Sequence, residues 1–267
     1  MKDTMDISYF SILISYSALV IPVLIFLYYK IRLIKSMLLS VLRMTVQLFF
    51  MALYLEYIFK WNNAWVNSAW VLIMVVVSAV SSIRHSNLKL KYFLLPILFS
   101  GFLSLLLTDA FFLGVVIKLE YLFETQYFVP ISGMILGNIL KYNIIGLTEY
   151  YSSIGRDQDL YYFLLVHNHP KKARVPFIRS AFKKAISPYI ATISVIGLIS
   201  LPGMMTGQIL GGTSPVIAIK YQVLIVIGIF IACILNLYLS ILFTNRSVFD
   251  AYGSIRKGIM RKEKKNK

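Results

Sequence analysis

The chain has 267 residues, 58% of them hydrophobic and only 14% charged, with a mean hydropathy of +0.75. Soluble domains carry about 25% charged residues, so this composition excludes an ordinary soluble enzyme and describes an integral membrane protein. The net charge of +16 would point to nucleic acid in a soluble chain; here its meaning lies in where the charges fall, and the single cysteine, Cys233, removes disulfide frameworks and cysteine-rich metal sites.

Apolar runs of roughly 20 residues, each enough to cross about 30 Å of hydrocarbon as a helix, predict seven spans at 7–29, 37–59, 65–83, 92–117, 128–148, 186–205 and 215–243. The expected fold is an all-α polytopic bundle, one transmembrane domain over 1–267. The run 7–29 is long enough to span and lacks a small-residue cleavage site, so it reads as a first span rather than a signal peptide. Pro22 and Pro96 predict kinks in the first and fourth spans.

The basic residues test this count independently of hydropathy, because cytoplasmic loops retain Lys and Arg. Lys30, Arg32 and Lys35 follow the first span, and Arg84, Lys89 and Lys91 follow the third. The fifth span is followed by Arg156, Lys171, Lys172, Arg174, Arg179, Lys183 and Lys184, and the seventh by a basic tail. On the opposite side stand only Lys2, Lys60 and Lys118, while Arg43, Lys141 and Lys220 fall inside spans. The N-terminus is therefore expected outside and the C-terminus inside, in a multi-pass protein of the cell membrane. The tail, 244–267, suits anionic inner-leaflet lipid at about 1 kcal/mol per charge, not nucleic acid.

One long segment, 149–188, is expected in the cytoplasm. Its first part joins Leu160, Tyr161, Tyr162, Phe163 and Leu164 with His167 at the end, too short to span and too apolar for a solvated loop. Its second part, 171–186, interleaves apolar and basic residues as an interfacial amphipathic helix would. Either both pieces lie on the bilayer, or the first is a helix that docks into a groove on a cytoplasmic partner.

No phosphate loop of the G-x-x-x-x-G-K-S/T type is present, so nucleotide hydrolysis is not expected of this chain, and no intrinsic cofactor is expected. The histidines, His85, His167 and His169, have no cysteine or carboxylate at ligand spacing. Polar residues inside spans are better leads, because an ionisable group in hydrocarbon costs at least ~2.5 kcal/mol and usually turns inward. Arg43 and Gln47 share a face of the second span, as Asn138 and Lys141 share one of the fifth. They would line a cytoplasm-facing cavity with positive charge, or Arg43 and Lys141 would snorkel to headgroups.

Between 201 and 212, Pro202, Gly203, Gly207, Gly211 and Gly212 fall at membrane depth without a charge, predicting a broken or re-entrant element. Met204 and Met205 are packing residues whose thioethers could also meet a soft ion, and Gln208 offers an oxygen.

This segment, continued by Thr213-Ser214-Pro215-Val216-Ile217-Ala218-Ile219-Lys220-Tyr221-Gln222, resembles the "slPGMMtGqiLaG.sPl.Ai.yQ" signature of the FetB-like ABC transporter permeases. Leu42-Arg43-Met44-Thr45-Val46-Gln47-Leu48 resembles that family's "R..vQL", and Gly133-Met134-Ile135-Leu136-Gly137-Asn138 its "GMilGN". The likeness implies the transmembrane subunit of an ATP-driven exporter, a homodimer working with a separate FetA-like subunit that holds ATP-Mg. Bacterial members are implicated in iron export, plant members in aluminium tolerance and nucleotide-sugar export. Substrate-path candidates are then Arg43, Gln47, Asn138, Lys141, Met204, Met205 and Gln208; coupling candidates are Leu160, Tyr161, Tyr162, Phe163, Leu164 and His167. The coupling segment departs from the family's "iE..LalGAtp..A", lacking its acid and small residues, so its docking surface is bulkier and more aromatic. A self-sufficient channel, an ion-coupled transporter and a seven-span receptor are the competing readings.

Overall fold

The computed structural model describes residues 8–250, 252–256 and 258–259. The first predicted span forms two helices, α1 (Tyr9–Ser17) and α2 (Val20–Tyr28). The break falls at Ala18 and Leu19 because Pro22 has no N–H for the Ala18 carbonyl four residues back; Ile21 N–H reaches it instead at 3.2 Å. α3 (Ile34–Trp61) and α4 (Ala64–His85) form a hairpin closed by Asn62, left-handed at φ 39°, and by Asn63, whose side chain caps the Trp65 N–H. α5 (Leu90–Asp109) passes without a stop through Pro96 and continues as a π-helical segment, Ala110–Val116. Then come α6 (Thr125–Arg156), α7 (Gln158–His167), α8 (Pro170–Ala173), α9 (Val175–Val195), α10 (Gly203–Leu210) and α11 (Pro215–Val248).

Among the described residues six stretches are long and apolar enough to cross a membrane: Tyr9–Tyr28, Ile34–Trp61, Ala64–His85, Leu90–Val116, Thr125–Arg156 and Pro215–Val248. The sixth predicted span, 186–205, is not among them and is not one helix. Its first half is the end of α9, whose buried Phe177, Ala181, Ala185 and Tyr189 recur every four residues as one unbroken stripe against α6. The interfacial helix expected at 171–186 is divided between α8 and the first half of α9, and Arg179, Lys183 and Lys184 make α9 less apolar than a full span. The chain leaves helix at 196–202, where Gly197 takes φ +87° and Ile196 pairs with Ser200. The break expected at 201–212 therefore flanks a helix: Gly203 and Gly207 sit inside α10, which ends at Gly211 and turns at Gly212, φ +91°.

Hydrogen-bonded pairs give the helix directions. Asn67 meets Thr125 and Ser86 meets the Ile144 carbonyl, both 58 residues apart, so α4 and α6 are parallel along their length. Asn143 with Ser240 and Tyr151 with Thr244 make α6 and α11 parallel as well. Ser104 with Asn236 and Ser100 with Ser240 set α5 antiparallel to α11, and Tyr142 against Tyr189 together with Glu149 against Ser180 and Lys184 sets α9 antiparallel to α6. Two parallel helices in sequence require a return stroke, and α9 provides it.

The core is α4, α5, α6, α9 and α11. α1 and α2 bury no side chain and α3 buries only Ile58, so this N-terminal group lies at the edge: α1 is joined to α3 through the Tyr16 hydroxyl and Thr45 and through Tyr9 stacked on Phe49 at 6.3 Å, and α3 meets the core through Tyr54 against Trp70. The tail does not stay apart: Phe249 pairs with Ile255, Arg256 N–H donates to the Val248 carbonyl, and Lys89 N–H donates to that of Ile259. Of the stretch 244–267, residues 244–248 belong to α11, 249–250, 252–256 and 258–259 fold back on the bundle, and 251, 257 and 260–267 lie outside the described residues.

α6 packs tightly against α11 at Gly146. A Cβ there would lie 2.5 Å from Leu237 Cδ1 and 2.8 Å from Cδ2, and Leu237 is fully enclosed. Gly146→Val is expected to cost roughly 1–3 kcal/mol through overpacking, read as a lower unfolding midpoint in detergent.

Candidate functional site

Between the edge helix α3 and the core runs a groove of about 650 Å³. α3 contributes Gln47, Met51 and Tyr54, α4 contributes Trp70, Met74 and Ser78, and α6 contributes Gly133 and Gly137. The two glycines are four apart and bring α6 backbone to the wall; an added Cβ at 137 would meet nothing within 4 Å, the mark of a position that faces open space. Tyr54 lies against Trp70 at 3.9 Å between ring centroids, and the buried Trp70 Nε1 has no hydrogen-bond acceptor among the described residues. The groove thus offers donors, the Gln47 amide and the Trp70 indole, on apolar walls.

The predicted path residues separate. Gln47 is in the groove, and Arg43 is exposed one turn along α3 from it. Lys141 is exposed one turn beyond Gly137, with its Nζ 5.5 Å from the Tyr142 ring centroid. Asn138 turns back on its own helix, its Nδ2 donating to the Met134 carbonyl at 2.9 Å. Met204, Met205 and Gln208 are half-buried on α10, which packs on α11, and none of them lines the groove. Trp70 and Tyr54 are the groove residues that the sequence did not single out. The usable signal was Gly133 and Gly137, small residues four apart in a span.

At the end of the bundle that carries α7, the predicted coupling residues divide by helix face. Tyr161 is buried against Phe177 and Phe249, with its hydroxyl donating to the Gly253 carbonyl, and Leu164 is half-buried. Burial pushes the Tyr161 phenol above its usual value, against the opposing pull of Arg174, so it remains a donor. Leu160, Tyr162, Phe163 and His167 point out, joined by Val166 at 81% exposure. His167 Nδ1 is within 2.8 Å of the Phe163 carbonyl and its ring leans on that of Phe163. α7 is thus held on one face and apolar on the other. The elements beneath it are tied down: Arg174 stacks on Phe249 at 4.3 Å, and the buried Glu149 accepts from Lys184 at 2.6 Å and Ser180 at 2.9 Å.

Among the described residues no three His, Cys, Asp or Glu side chains gather in a way that could hold a metal ion.

The chain is 28% identical over 224 residues to "UPF0014 membrane protein YjkA" of Bacillus subtilis, covering 83% of this chain and 88% of that one. It is 29% identical over 249 residues to "Probable iron export permease protein FetB" of Escherichia coli, covering 90% and 92%. To "Protein ALUMINUM SENSITIVE 3" of Arabidopsis thaliana it is 27% identical, covering 71% and 68%. No solved structure matches it. A family model matches residues 9–249, so this multi-pass membrane protein belongs to the Uncharacterised protein family (UPF0014), the family of these FetB-like and plant proteins that its motifs resemble.

Proposed function

We propose that the chain is the permease subunit of an ATP-driven exporter in the cell membrane, acting as a homodimer with a separate FetA-like ATP-binding subunit. The observation that carries this reading is α7: a ten-residue helix outside the long apolar stretches, anchored by Tyr161 and apolar on its outward face at Tyr162, Phe163 and Val166. An apolar helix face fixed to a bundle is the form that docks into a groove on a partner and transmits its rigid-body motion. In this reading the α7 end is cytoplasmic, as its basic residues require. The chain crosses seven times, with α9 and α10 as the return stroke between the parallel α6 and α11.

Motion delivered at α7 reaches a core clamped along its length, so the groove changes where attachment is weakest, at α3. The substrate is iron, as the name of the Escherichia coli relative suggests, in the form of an anionic complex. Arg43 and Lys141 near the groove repel a bare cation and attract a chelate, and the Gln47 and Trp70 donors suit its ligand oxygens.

Two outcomes test this. Co-purification of the ATP-binding subunit is expected to fail in a Phe163→Asp, Val166→Asp variant that inserts and unfolds like wild type; retained binding and ATPase coupling would overturn the assignment of α7. Gly137→Leu is expected to change stability by under about 0.5 kcal/mol, since a side chain there enters open space. It should keep the ATP-binding subunit yet lose most iron efflux from loaded cells or proteoliposomes. Unimpaired efflux would remove the groove from the path.

A further inference from the structure

A second cavity, of about 330 Å³, lies between α4, α5 with its π-helical extension, and α6, toward the end of the bundle opposite α7. It is separate from the groove at α3, with none of its lining residues in common. The floor is formed by the buried Val71, Leu105 and Leu113, and the rim by the half-exposed Leu72, Phe102 and Leu106, so it opens sideways from the helix bundle. Into this apolar wall the sequence sets one carboxyl, Asp109, 5% exposed, at the junction where α5 widens into π-helix. Such widened turns are rare and recur at functional sites.

Asp109 is incompletely satisfied. Its Oδ2 accepts the Ser132 hydroxyl at 2.6 Å, while its Oδ1 is buried and has no hydrogen-bond partner among the described residues. No ion pair reaches it among those residues either. Ser132 is seven residues into α6, which places the carboxyl ~10 Å below that end of the bundle by helix rise. A carboxyl left half-paired at that depth is expensive, and such groups are kept where they do something.

The geometry points to a binding site for hydrophobic amines: molecules with an apolar body that fills the cavity and an ammonium that donates to Asp109 Oδ1. The volume falls in the ~300–1,000 Å³ range of small-molecule sites, whose usual make-up is apolar lining with few polar anchors. An ammonium supplies both things the carboxyl lacks, a donor and a counter-charge; an alcohol supplies only the donor, and a hydrocarbon neither. The lateral opening suits ligands that arrive through lipid. Nothing in this site depends on the transport reading, and binding is measured without the ATP-binding subunit.

The test is saturable binding of labelled 4-phenylbutylamine to the full-length protein in zwitterionic nanodiscs near pH 7, compared with 4-phenylbutanol and the hydrocarbon n-pentylbenzene. Wild type is expected to bind the amine at least ~10-fold more tightly than the hydrocarbon, with the alcohol between. The near-isosteric Asp109→Asn should erase the amine preference while still binding n-pentylbenzene, and Ser68→Phe, which fills the mouth, should bind neither. Equal affinity for amine and hydrocarbon in wild type, or no saturable binding of either, overturns the proposal whether or not the variants fold. So does an undiminished amine preference in Asp109→Asn.

Discussion

Lipid tails are as apolar as leucine, so no hydrophobic force distinguishes helix–helix contact from helix–lipid contact inside a bilayer; association rests on close packing and on hydrogen bonds between helices. In this chain both are concentrated where α5, α6 and α11 meet. Ser100 and Ser240 are joined at 2.7 Å, Asn143 donates to Ser240, Asn236 donates to Ser104, and Tyr151 donates to Thr244. Each such bond is worth ~0.6–2 kcal/mol in a membrane, and Gly146 lets α6 approach Leu237 closely enough for the set to form together. The same α6 reaches α9 through Glu149 and α4 through Thr125, so five helices are held by one seam and its extensions.

What lies outside that seam is loosely attached, and the proposed function draws on the contrast. α3 faces the core across the groove and is held largely by aromatic and methionine contacts, without a buried polar bond to α4 or α6 along the groove wall among the described residues. At its far end, Asn62 joins the α3–α4 turn to Thr125. That arrangement leaves α3 a hinged wall. At the other end α7, α8, α9 and the described residues of the folded-back tail form one platform, which in the proposed function would carry a push on α7 into the clamped core. The glycines of α6 serve both sides: Gly146 tightens the seam, and Gly137 keeps the groove open.

The long apolar helices were legible because hydropathy and charge depend only on nearby residues. The first span's break was signalled by Pro22, and α4, α5 and α11 lie close to the expected limits. The path through 186–205 was not legible, because Lys183 and Lys184 sit beside apolar positions and the partners that admit them lie elsewhere: the Glu149 that takes Lys184 is 35 residues away. Likewise α6 continues to Arg156 where a loop was expected, since burial of Tyr150, Tyr151 and Ile154 depends on α11 and the tail. Among the candidates, Gln47, which lines the groove, and Leu160, Tyr162, Phe163 and His167, which face outward on α7, stood out from pattern alone. Trp70 and Tyr54 are two among many aromatics in the spans, and Asp109 stands at the end of an apolar run, so nothing in the sequence pattern marks them out. Only the third dimension separates an acid at the edge from one turned into a cavity.

The account rests on a rigid core beside a mobile α3. The most direct measurement is the distance between spin labels in the full transporter, with buried Cys233 replaced by alanine. One pair, Leu48→Cys with Lys141→Cys, spans the groove; another, Leu106→Cys with Ile231→Cys, spans α5 and α11 on exposed positions. On binding of ATP, the groove pair is predicted to shift by several ångströms while the core pair keeps its distance. A shift across α5 and α11 with the groove pair unchanged would contradict it.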